Sequence, residues 1–483
     1  MRYSHFIGGQ MVAGGSTEVI EVFNPATGTV IAEVNAGSAR DVDNAVAAAR
    51  QAFEHAEWQG RSGIDRGQAL WRLGELIMAH LDELAELEVR DNGRPLASAK
   101  YSITTAAEYA YYYAGMVTKL HGLSAELTGG SREWHAYTRS EPVGVVAAII
   151  PWNAPFFNLL CKLAPALAAG CSVVCKPAEQ TPLTAIRLGE LLQETRLFPD
   201  GQVNIINGFG RIAGAALANH PGVDKLSFTG STTVGRKLIE AAAGNLKRLT
   251  LELGGKSPVF VFDDADLDKA IPAAAMAVFA NAGQICVAGS RLYAQRGVFD
   301  KVVQGVAKIG AALRLGNGMD PATQMGPLIS EEQMVRVLSH IESGVGEGAE
   351  LVGDGGQRFG GEGYFVRPAV FANRERADFR LLREEIFGPV IVATPFDGLD
   401  ELARLANDTE YGLAAGIFTE NFSTGHLAAK RIRAGNIWIN GYGFLDRSMP
   451  FGGFKQSGWG REGGIEGIAP YLETKTVYTQ FFH

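Results

Sequence analysis

The chain has 483 residues, 46% of them hydrophobic, so it is long enough to form two or three domains with a large core. Its formal net charge of -8 and its lack of a long Lys/Arg run argue against a nucleic-acid binder. Its four cysteines are too few for a disulfide scaffold and suit a reducing compartment.

No apolar run in the sequence approaches the roughly 20 residues that span a bilayer. The first ten residues also lack the apolar core of a secretory signal. The 60 glycines are spread through the chain without a collagen-like period, which indicates many backbone turns. We therefore expect a cytoplasmic protein with small-molecule partners and with no membrane or nucleic-acid partner.

The predicted elements change character near residue 143. Before it, short β-rich pieces fill residues 1–35. Leucines at helical spacing then predict one long helix over 64–92, and a Tyr-rich stretch predicts another over 106–122. We interpret the tyrosines of that second helix as packing residues.

After residue 143, apolar strands alternate with helices in two blocks. Continuous apolar strands joined by helices are typical of a parallel sheet covered on both faces, and such sheets bind ligands at the carboxyl ends of their strands. The second alternation begins at Pro258 and continues to about Gly435, so we place a domain boundary near Gly255. The last residues predict an exposed strand that could pair with another subunit.

A candidate nucleophile lies in the sequence F-A-N-A-G-Q-I-C-V-A-G-S-R over residues 279–291. Cys286 stands there between Gly283 and Gly289, where small neighbours let backbone N–H groups approach a ligand. A buried structural thiol would fit the same surroundings. The nine histidines are scattered, and none forms a metal set or an evident pair with this cysteine.

Two glycine-containing segments are candidate anion sites. Gly208, Gly210 and Gly214 resemble a dinucleotide fingerprint, but the third glycine comes one position late, and a helix entry would need the same small residues. The segment F-T-G-S over 228–231 is a better candidate. A strand ends there, and Ser231 can cap the next helix, whose N-terminus attracts phosphate.

Glu252 is a candidate general base. The sequence E-L-G-G-K-S around it ends like a nucleotide-triphosphate loop, but Thr250 occupies the position of the required first glycine. Ser257 and Pro258 then lead into an apparent strand instead of a helix, so we reject that reading. Glu252 is then a carboxylate at the end of an apparent buried strand, followed closely by two glycines, where a general base could lie. A surface glutamate would fit the sequence as well.

Asn153 is a candidate oxyanion donor. It lies in P-W-N-A-P after a strand, and the two prolines restrict the backbone on either side of it. A fixed amide donor suits an oxyanion site, and a plain Asx-turn would explain the same residues. Cys171 and Cys175 lie along an apparent strand without zinc spacing, which favours core cysteines and no metal site.

Taken together, these motifs resemble the NAD(P)-dependent aldehyde dehydrogenase superfamily. The resemblance extends from Asn24 to the terminal strand, and its segments occur in the order and at the spacing of that family. The matching segments are P-W-N-A-P, K-P-A-E-Q-T-P, G-F-G, F-T-G-S-T-T-V-G, L-E-L-G-G-K-S-P, G-Q-I-C, E-E-I-F-G-P-V and P-F-G-G-F-K-Q-S-G.

The resemblance implies an aldehyde oxidation that passes through a cysteine thiohemiacetal and a thioester. It makes Cys286 the nucleophile, Glu252 the base that activates water, and Asn153 with the Cys286 N–H the oxyanion site. Thiolate attack is needed because an aldehyde carbon does not readily lose hydride until it has become a tetrahedral alkoxide. Lys176 is the candidate cation for activating the thiol, besides backbone N–H groups and the cofactor.

The resemblance also implies a nicotinamide cofactor. It assigns Lys176 and Glu179 to the adenine ribose, residues 228–231 to the pyrophosphate, and Glu385 with Phe387 to the nicotinamide half. A carboxylate at 179 accepts hydrogen bonds from ribose hydroxyls and repels a 2′-phosphate, so NAD is expected before NADP. The further residues expected around the cofactor are Ile149, Pro151, Trp152, Gly208, Gly210, Phe228, Thr229, Gly230, Ser231, Val234 and Leu253.

The substrate pocket is expected to be apolar, with no Arg or Lys to hold a substrate carboxylate. We therefore predict an apolar or aromatic aldehyde. Ala154 stands where the family often has a bulkier residue, which would widen the pocket. The expected wall residues are Phe156, Phe157, Cys161, Ile285, Val287, Phe444 and Leu445.

The resemblance further implies an α/β fold with three parts. These are a parallel-sheet dinucleotide-binding domain (1–123 and 143–254), an α/β catalytic domain (255–454), and a small β oligomerisation element (124–142 and 470–483). The element includes the segment around Ser131 to Glu141 and would form a homodimer or homotetramer. The alternatives are a CoA-acylating member of the family, against which Glu252 argues, and a non-catalytic structural or binding protein on the same scaffold.

Overall fold

The computed structural model of the protein describes residues 2–125, 127 and 134–481, without the side chains of Ala56 and Gln59. Its strands are β1 (Arg2–Tyr3), β2 (His5–Ile7), β3 (Gln10–Val12), β4 (Val19–Asn24), β5 (Thr29–Asn35), β6 (Trp134–Pro142), β7 (Val145–Ile149), β8 (Ser172–Lys176), β9 (Val203–Ile205), β10 (Lys225–Thr229), β11 (Arg248–Glu252), β12 (Pro258–Val261), β13 (Arg291–Gln295), β14 (Glu350–Leu351), β15 (Ala369–Ala372), β16 (Val390–Phe396), β17 (Ala414–Phe418), β18 (Asn436–Ile439), β19 (Gly458–Trp459) and β20 (Leu472–Gln480). Its α-helices are α1 (Ala39–Glu54), α2 (Ala56–Gln59), α3 (Gly63–Ala79), α4 (Leu81–Asn92), α5 (Leu96–Met116), α6 (Pro155–Ala169), α7 (Leu183–Thr195), α8 (Ala215–Asn219), α9 (Thr232–Ala242), α10 (Leu267–Phe279), α11 (Phe299–Ala312), α12 (Glu331–Gly346), α13 (Arg380–Arg383), α14 (Leu399–Asn407), α15 (Phe422–Arg431) and α16 (Gly464–Ile468).

The first large sheet has the strand order β19-β11-β10-β7-β8-β9-β2-β3. Strands β11 to β9 are parallel to one another, and every residue of β7 and β8 is buried because the sheet is covered on both faces. The predicted α/β fold with a parallel sheet is thus confirmed. The outer strands β19, β2 and β3 are antiparallel, because short segments from distant parts of the chain complete both edges.

The second large sheet has the order β14-β15-β16-β13-β12-β17-β18. The chain enters it at Pro258, three residues after the boundary expected at Gly255, and returns to the first sheet through β19. All its neighbouring strands are parallel except the short edge strand β14. The ranges given above for the functional domains stay predictions.

Strands β6 and β20 form a separate antiparallel sheet, with Leu472 opposite Pro142 and Gln480 opposite Trp134. Strand β20 is mostly exposed or half-buried, as expected for the terminal strand. Residues 126 and 128–133 of the expected oligomerisation segment, including Ser131, and residues 482 and 483 lie outside the described residues.

The helices before residue 143 differ from the prediction. The helix expected over 64–92 is broken at His80, whose ring contacts the Leu76 carbonyl at 2.9 Å and whose backbone leaves the helical conformation. The helix expected from residue 106 begins ten residues earlier, at Leu96 after Pro95. No helix within the described ranges is long and apolar enough to cross a membrane.

Register in the first sheet places four strand ends at one edge. Lys176 of β8 lies opposite Ile149 of β7, and Ile149 lies opposite Phe228 of β10. The next residue of β10, Thr229, lies opposite Glu252 of β11. Polar groups from separate chain segments therefore meet at the carboxyl edge of this sheet, where such sheets bind ligands.

Candidate active site

A cavity of about 290 Å³ brings the three expected catalytic residues together. Asn153, Glu252 and Cys286 all contribute to its lining, although they come from β-strand ends and a loop far apart in the chain. The other expected site residues that line it are Pro151, Trp152, Phe157, Cys161, Thr229, Gly230, Ser231, Leu253, Ile285, Val287, Glu385, Phe387 and Leu445.

The Cys286 loop owes its course to a left-handed turn after α10. Asn281, Ala282 and Gly283 have φ values of 49°, 54° and 76°. A β-carbon on Gly283 would lie 2.0 Å from the carbonyl oxygen of Gly388, so only glycine fits at that position. After the turn, Ile285, Cys286 and Val287 line the cavity, and Cys286 is half-buried there.

Hydrogen bonds of both its side-chain amide and its backbone carbonyl hold Asn153 against this loop. Its Nδ2 donates to the carbonyl of Gln284 at 3.0 Å, across 131 residues of sequence. Its own carbonyl accepts from Arg94 Nη2 at 2.5 Å and from Asn281 Nδ2 at 3.0 Å. Arg94 is in turn paired with buried Glu88 at 3.0 Å. The amide is therefore held beside the cysteine loop, as an oxyanion donor would have to be.

Glu252 is buried at the end of β11 with 3% exposure, so the alternative of a surface glutamate is wrong. Neither carboxyl oxygen has a hydrogen-bond partner among the described residues. Burial raises the pKa of this carboxyl well above its usual range, and neighbouring Glu462 raises it further, while Lys162 and Arg461 oppose the shift. An unpaired carboxyl with a raised pKa is suited to taking a proton from water near neutral pH.

A buried ion pair beside Glu252 was not predicted. Lys162, fully buried on α6, forms an ion pair with Glu462 and donates to Thr229 Oγ1 at 2.6 Å. Partners 300 residues apart leave no local pattern. The available signal was a lone lysine in the otherwise uncharged helix P-F-F-N-L-L-C-K-L-A-P-A-L-A-A.

Carboxylates are the charged groups that contribute most to the pKa shift of the Cys286 thiol among the described residues. Burial raises its pKa to about 12, and the Glu252 and Glu385 carboxylates contribute to the rise. Backbone N–H groups of Val287 and Cys286 itself act in the opposite direction. The expected cation, Lys176, lies elsewhere and is not among the residues that line the cavity. That Lys176 lowers this pKa stays a prediction, and its position outside the lining does not support it.

Lys176 instead belongs to a cluster with the other residues expected at the adenine ribose. Its Nζ donates to the Gly208 carbonyl at 2.8 Å and lies 3.6 Å from Glu179 Oε2. The N–H of Gly210 points to Glu179 Oε1 at 3.5 Å. The Glu179 side chain is 31% exposed, so its carboxylate remains accessible to a ligand.

The expected pyrophosphate segment joins the end of β10 to the start of α9. Ser231 caps this helix by accepting from the Val234 N–H at 3.3 Å. A β-carbon on Gly230 would lie 2.4 Å from the Phe228 ring, so the loop needs glycine there. Val234 is exposed and Ile149 is buried behind the loop, and neither of them nor Phe228 lines the cavity.

Helix α12 supports the residues expected at the nicotinamide half. The Glu385 carboxylate accepts from the Gly255 N–H at 3.0 Å, and Arg336 Nη2 donates to the Glu385 carbonyl at 2.9 Å. Gln333 Nε2 donates to the Phe387 carbonyl at 2.9 Å. Gln333 and Arg336 also line the cavity, and the sequence reading had not identified them.

The apolar side of the cavity differs from the expected wall in two residues. Phe156 is fully buried in the core of the first sheet, because adjacent residues of α6 point in different directions and only Phe157 faces the cavity. Phe444 is 68% exposed and lies outside the lining, next to Leu445, which belongs to it. The lining residues that the sequence reading had not assigned to the wall are Tyr109, Ala154, Asn158, Gly254, Phe451 and Glu462.

No group of three or more His, Cys, Asp or Glu side chains in the described part of the chain is arranged to hold a metal ion. The polar groups of the cavity can instead supply a thiol, an amide donor and a carboxyl group to one bound molecule. That set suits covalent catalysis at a carbonyl carbon.

Comparison with known proteins agrees with this chemistry. Residues 11–477 match the model of the aldehyde dehydrogenase family. The chain is similar to aldehyde dehydrogenase 1 of Tanacetum cinerariifolium (45% identity, 99% of this chain and 95% of the relative). It is also similar to phenylacetaldehyde dehydrogenase of Pseudomonas fluorescens (44%, 98% and 94%). An NAD+ complex of an aldehyde dehydrogenase from Bacillus cereus has a TM-score of 0.97 at 44% identity, covering 99% of this chain and 97% of the other. The chain belongs to the aldehyde dehydrogenase family.

Proposed function

We propose that the protein oxidises an aldehyde to the carboxylic acid with NAD, through a covalent intermediate on Cys286. The observation that carries this proposal is the single cavity that Cys286, Asn153 and Glu252 share. The thiol supplies a nucleophile, the amide a donor for a developing oxyanion, and the carboxyl a base for water.

The first half of the reaction forms a thioester. The sulfur of Cys286 adds to the aldehyde carbon as the thiolate, and the carbonyl oxygen becomes an alkoxide that Asn153 Nδ2 stabilises by donating a hydrogen bond. When bound, NAD supplies the acceptor for the hydride that this carbon then loses. Loss of hydride restores the carbon–oxygen double bond and leaves the acyl group on sulfur.

The second half of the reaction releases the acid. Glu252 accepts a proton from water as the water oxygen attacks the thioester carbon, and the carbon–sulfur bond breaks to return Cys286 as a thiolate. A carboxyl with a raised pKa holds this proton more readily than an ordinary glutamate. Glu462, which is paired with Lys162, lies beside it and offers a further acceptor for the proton.

The residues present fit a dinucleotide. Glycine is needed at 230, where a β-carbon would strike the Phe228 ring, and this leaves the N-terminus of α9 open to a phosphate group. The accessible carboxylate of Glu179 suits ribose hydroxyls, and its negative charge disfavours the 2′-phosphate of NADP. Lys176 would share the ribose site, and Glu385 and Phe387 would hold the nicotinamide half. The NAD+ complex of the Bacillus cereus enzyme supports NAD as the cofactor.

The proposed substrate is an apolar or aromatic aldehyde. Phe157, Ile285, Val287, Leu445 and Phe451 supply most of the apolar lining. The similarity to a protein named phenylacetaldehyde dehydrogenase supports an aromatic substrate.

The function is tested by following NADH formation with purified protein, NAD and a panel of aldehydes. We expect turnover with aromatic aldehydes and none after Cys286→Ala. Absence of NADH with every aldehyde would overturn the proposal and favour a non-catalytic role. Full turnover by Cys286→Ala would overturn the role of the cysteine as the nucleophile. Added CoA distinguishes the acylating alternative, because that reaction would form an acyl-CoA in place of the free acid.

We also propose that the protein is a cytoplasmic homodimer or homotetramer that assembles through β6 and β20. The exposed strand β20 leaves unpaired backbone groups and exposed Tyr478 available for contact with another subunit. Light scattering after chromatography of wild type and of Tyr478→Glu tests the interface, since a charge there should lower the oligomer mass. An unchanged mass would argue against β20.

A further inference from the structure

We propose that Tyr109 selects aryl aldehydes that carry a hydroxyl group on the ring, by hydrogen-bonding that hydroxyl at the end of the apolar pocket. This inference rests on the proposed aldehyde oxidation and names the substrate class more narrowly. It is based on where Tyr109 lies and on how weakly its hydroxyl is engaged.

Tyr109 lies on α5 and reaches the cavity from a helix remote in sequence from the cysteine loop. It is 4% exposed, so its hydroxyl is removed from bulk water. Its ring packs edge-on against Phe157, with centroids 5.6 Å apart and planes at 88°. Both rings line the cavity, and an aromatic substrate placed against Phe157 would extend toward the Tyr109 hydroxyl.

The partner of the Tyr109 hydroxyl among the described residues is a weak one. It donates to the sulfur of Cys161, another lining residue that is 2% exposed. Sulfur is a poor acceptor, so an oxygen atom of a ligand can replace it at little cost. The phenol oxygen can also accept, and it can therefore pair with a ligand hydroxyl in either direction.

Nearby polar groups are engaged more firmly. Tyr113, one turn further along α5, donates to the Gly464 carbonyl at 3.1 Å and is not part of the lining. The Asn158 side chain does line the cavity, but its Nδ2 donates to the Ala154 carbonyl at 2.8 Å. The Tyr109 hydroxyl is thus the polar group on this apolar wall that is best placed to exchange its partner.

Tyr109 and Cys286 line the cavity from different elements. Tyr109 packs against Phe157 of α6, whereas Cys286 lies on the loop whose Gln284 carbonyl accepts from Asn153 Nδ2. An aldehyde carbon bonded to the Cys286 sulfur would therefore leave the distal end of the substrate near Tyr109. A ring hydroxyl placed there meets a donor and acceptor in surroundings that exclude water, where hydrogen bonds discriminate best.

The test compares 4-hydroxyphenylacetaldehyde with 4-methylphenylacetaldehyde, whose ring substituents are similar in size. The methylene group between ring and aldehyde insulates the carbonyl from the substituent's electronic effect. We expect wild-type protein to favour the hydroxyl compound in kcat/KM by about tenfold, the worth of one buried hydrogen bond. Tyr109→Phe should bring this ratio close to one by lowering kcat/KM for the hydroxyl compound more than for the methyl compound.

Two further variants separate recognition from folding. Tyr113→Phe removes a hydroxyl from the same helix and should keep the tenfold ratio. Cys161→Ser gives Tyr109 a stronger partner and should lower the ratio while the tyrosine remains. Because both aldehydes are measured on one preparation, a loss of folded protein cancels in the ratio.

The outcomes are distinct. Oxidation of the methyl compound without a preference for the hydroxyl compound, or a preference that survives Tyr109→Phe, overturns the role of Tyr109 and leaves the proposed function intact. Failure to oxidise any aldehyde overturns both.

Discussion

Replacing Glu252 by Gln should separate the two halves of the proposed reaction. The variant keeps the size of the side chain and removes the group that takes a proton from water. General bases contribute about 10²- to 10⁴-fold to rate, so steady-state turnover should fall by that factor. Formation of the thioester and the first NADH needs only Cys286 and Asn153 among the catalytic residues, and this step should survive.

The protein should tolerate this substitution. The Glu252 carboxyl is buried and has no hydrogen-bond partner among the described residues, and Glu462 adds a repulsive charge. Its folded pKa is raised above the ordinary 4.5, so its contribution to stability is lost as pH rises through the folded value. The melting temperature of Glu252→Gln should therefore match or exceed that of wild type, and the difference should grow as pH rises from about 4.5.

Rapid mixing of enzyme and NAD with a saturating aldehyde measures both steps. We expect a burst of about one NADH per active site followed by the slowed steady state. Glu350→Gln is the matched control, because this exposed glutamate is paired with Arg374 on the surface and should leave both phases unchanged. A variant without a burst, or with steady-state turnover within about threefold of wild type, would refute the assignment of Glu252 as the base for hydrolysis.

Three other predictions follow from single contacts. The raised pKa of the Cys286 thiol means that thiolate is scarce at neutral pH, so alkylation by iodoacetamide in the absence of NAD should accelerate about tenfold per pH unit between about pH 7 and 9. Arg94→Gln should lower the melting temperature by leaving buried Glu88 unpaired, at a cost of about 3 kcal/mol, and should cut kcat/KM by about tenfold or more by releasing the Asn153 carbonyl. Glu179→Gln should raise kcat/KM for NADP relative to NAD by about tenfold, because it removes the charge that repels a 2′-phosphate.

Each of these predictions has a contrary result. A rate of alkylation that levels off below about pH 8 would mean that the thiol is activated in the free enzyme. Arg94→Gln with wild-type melting and activity would show that Asn153 is held without its arginine, and Arg90→Gln serves as the exposed control on α4. An unchanged cofactor ratio in Glu179→Gln would remove the charge argument for NAD.

The sequence predicted the elements whose patterns are local. Helix α7 and buried strand β7 follow the alternation of helices with apolar strands that the sequence predicts after residue 143. These predictions are correct because the spacing of hydrophobic residues and the capping residues of a helix are signals within a few residues of sequence. The sequence did not predict the break at His80, because the leucine spacing continues through it. The helix ends where the His80 ring contacts the Leu76 carbonyl.

The family motifs also identified Cys286, Glu252 and Asn153 as candidate site residues. Each lies at a strand end or a turn that neighbouring Gly or Pro residues mark in the sequence. What the sequence could not decide was which side chains meet. Phe156 and Phe157 are equivalent in the pattern, yet they point about 100° apart around α6, and only packing decides which one enters the cavity.

Contacts between distant segments were likewise decided by the tertiary structure alone. The ion pair of Lys162 with Glu462 and the approach of Tyr109 to Phe157 join different parts of the chain. Lys176 contacts Gly208 and Glu179 and does not line the cavity of the thiol. Local sequence constrains backbone conformation within a few residues. Whether a buried charge or hydroxyl finds a partner depends on how sheets and helices pack, because burial makes an unpaired polar group costly and pairing depends on three-dimensional distance.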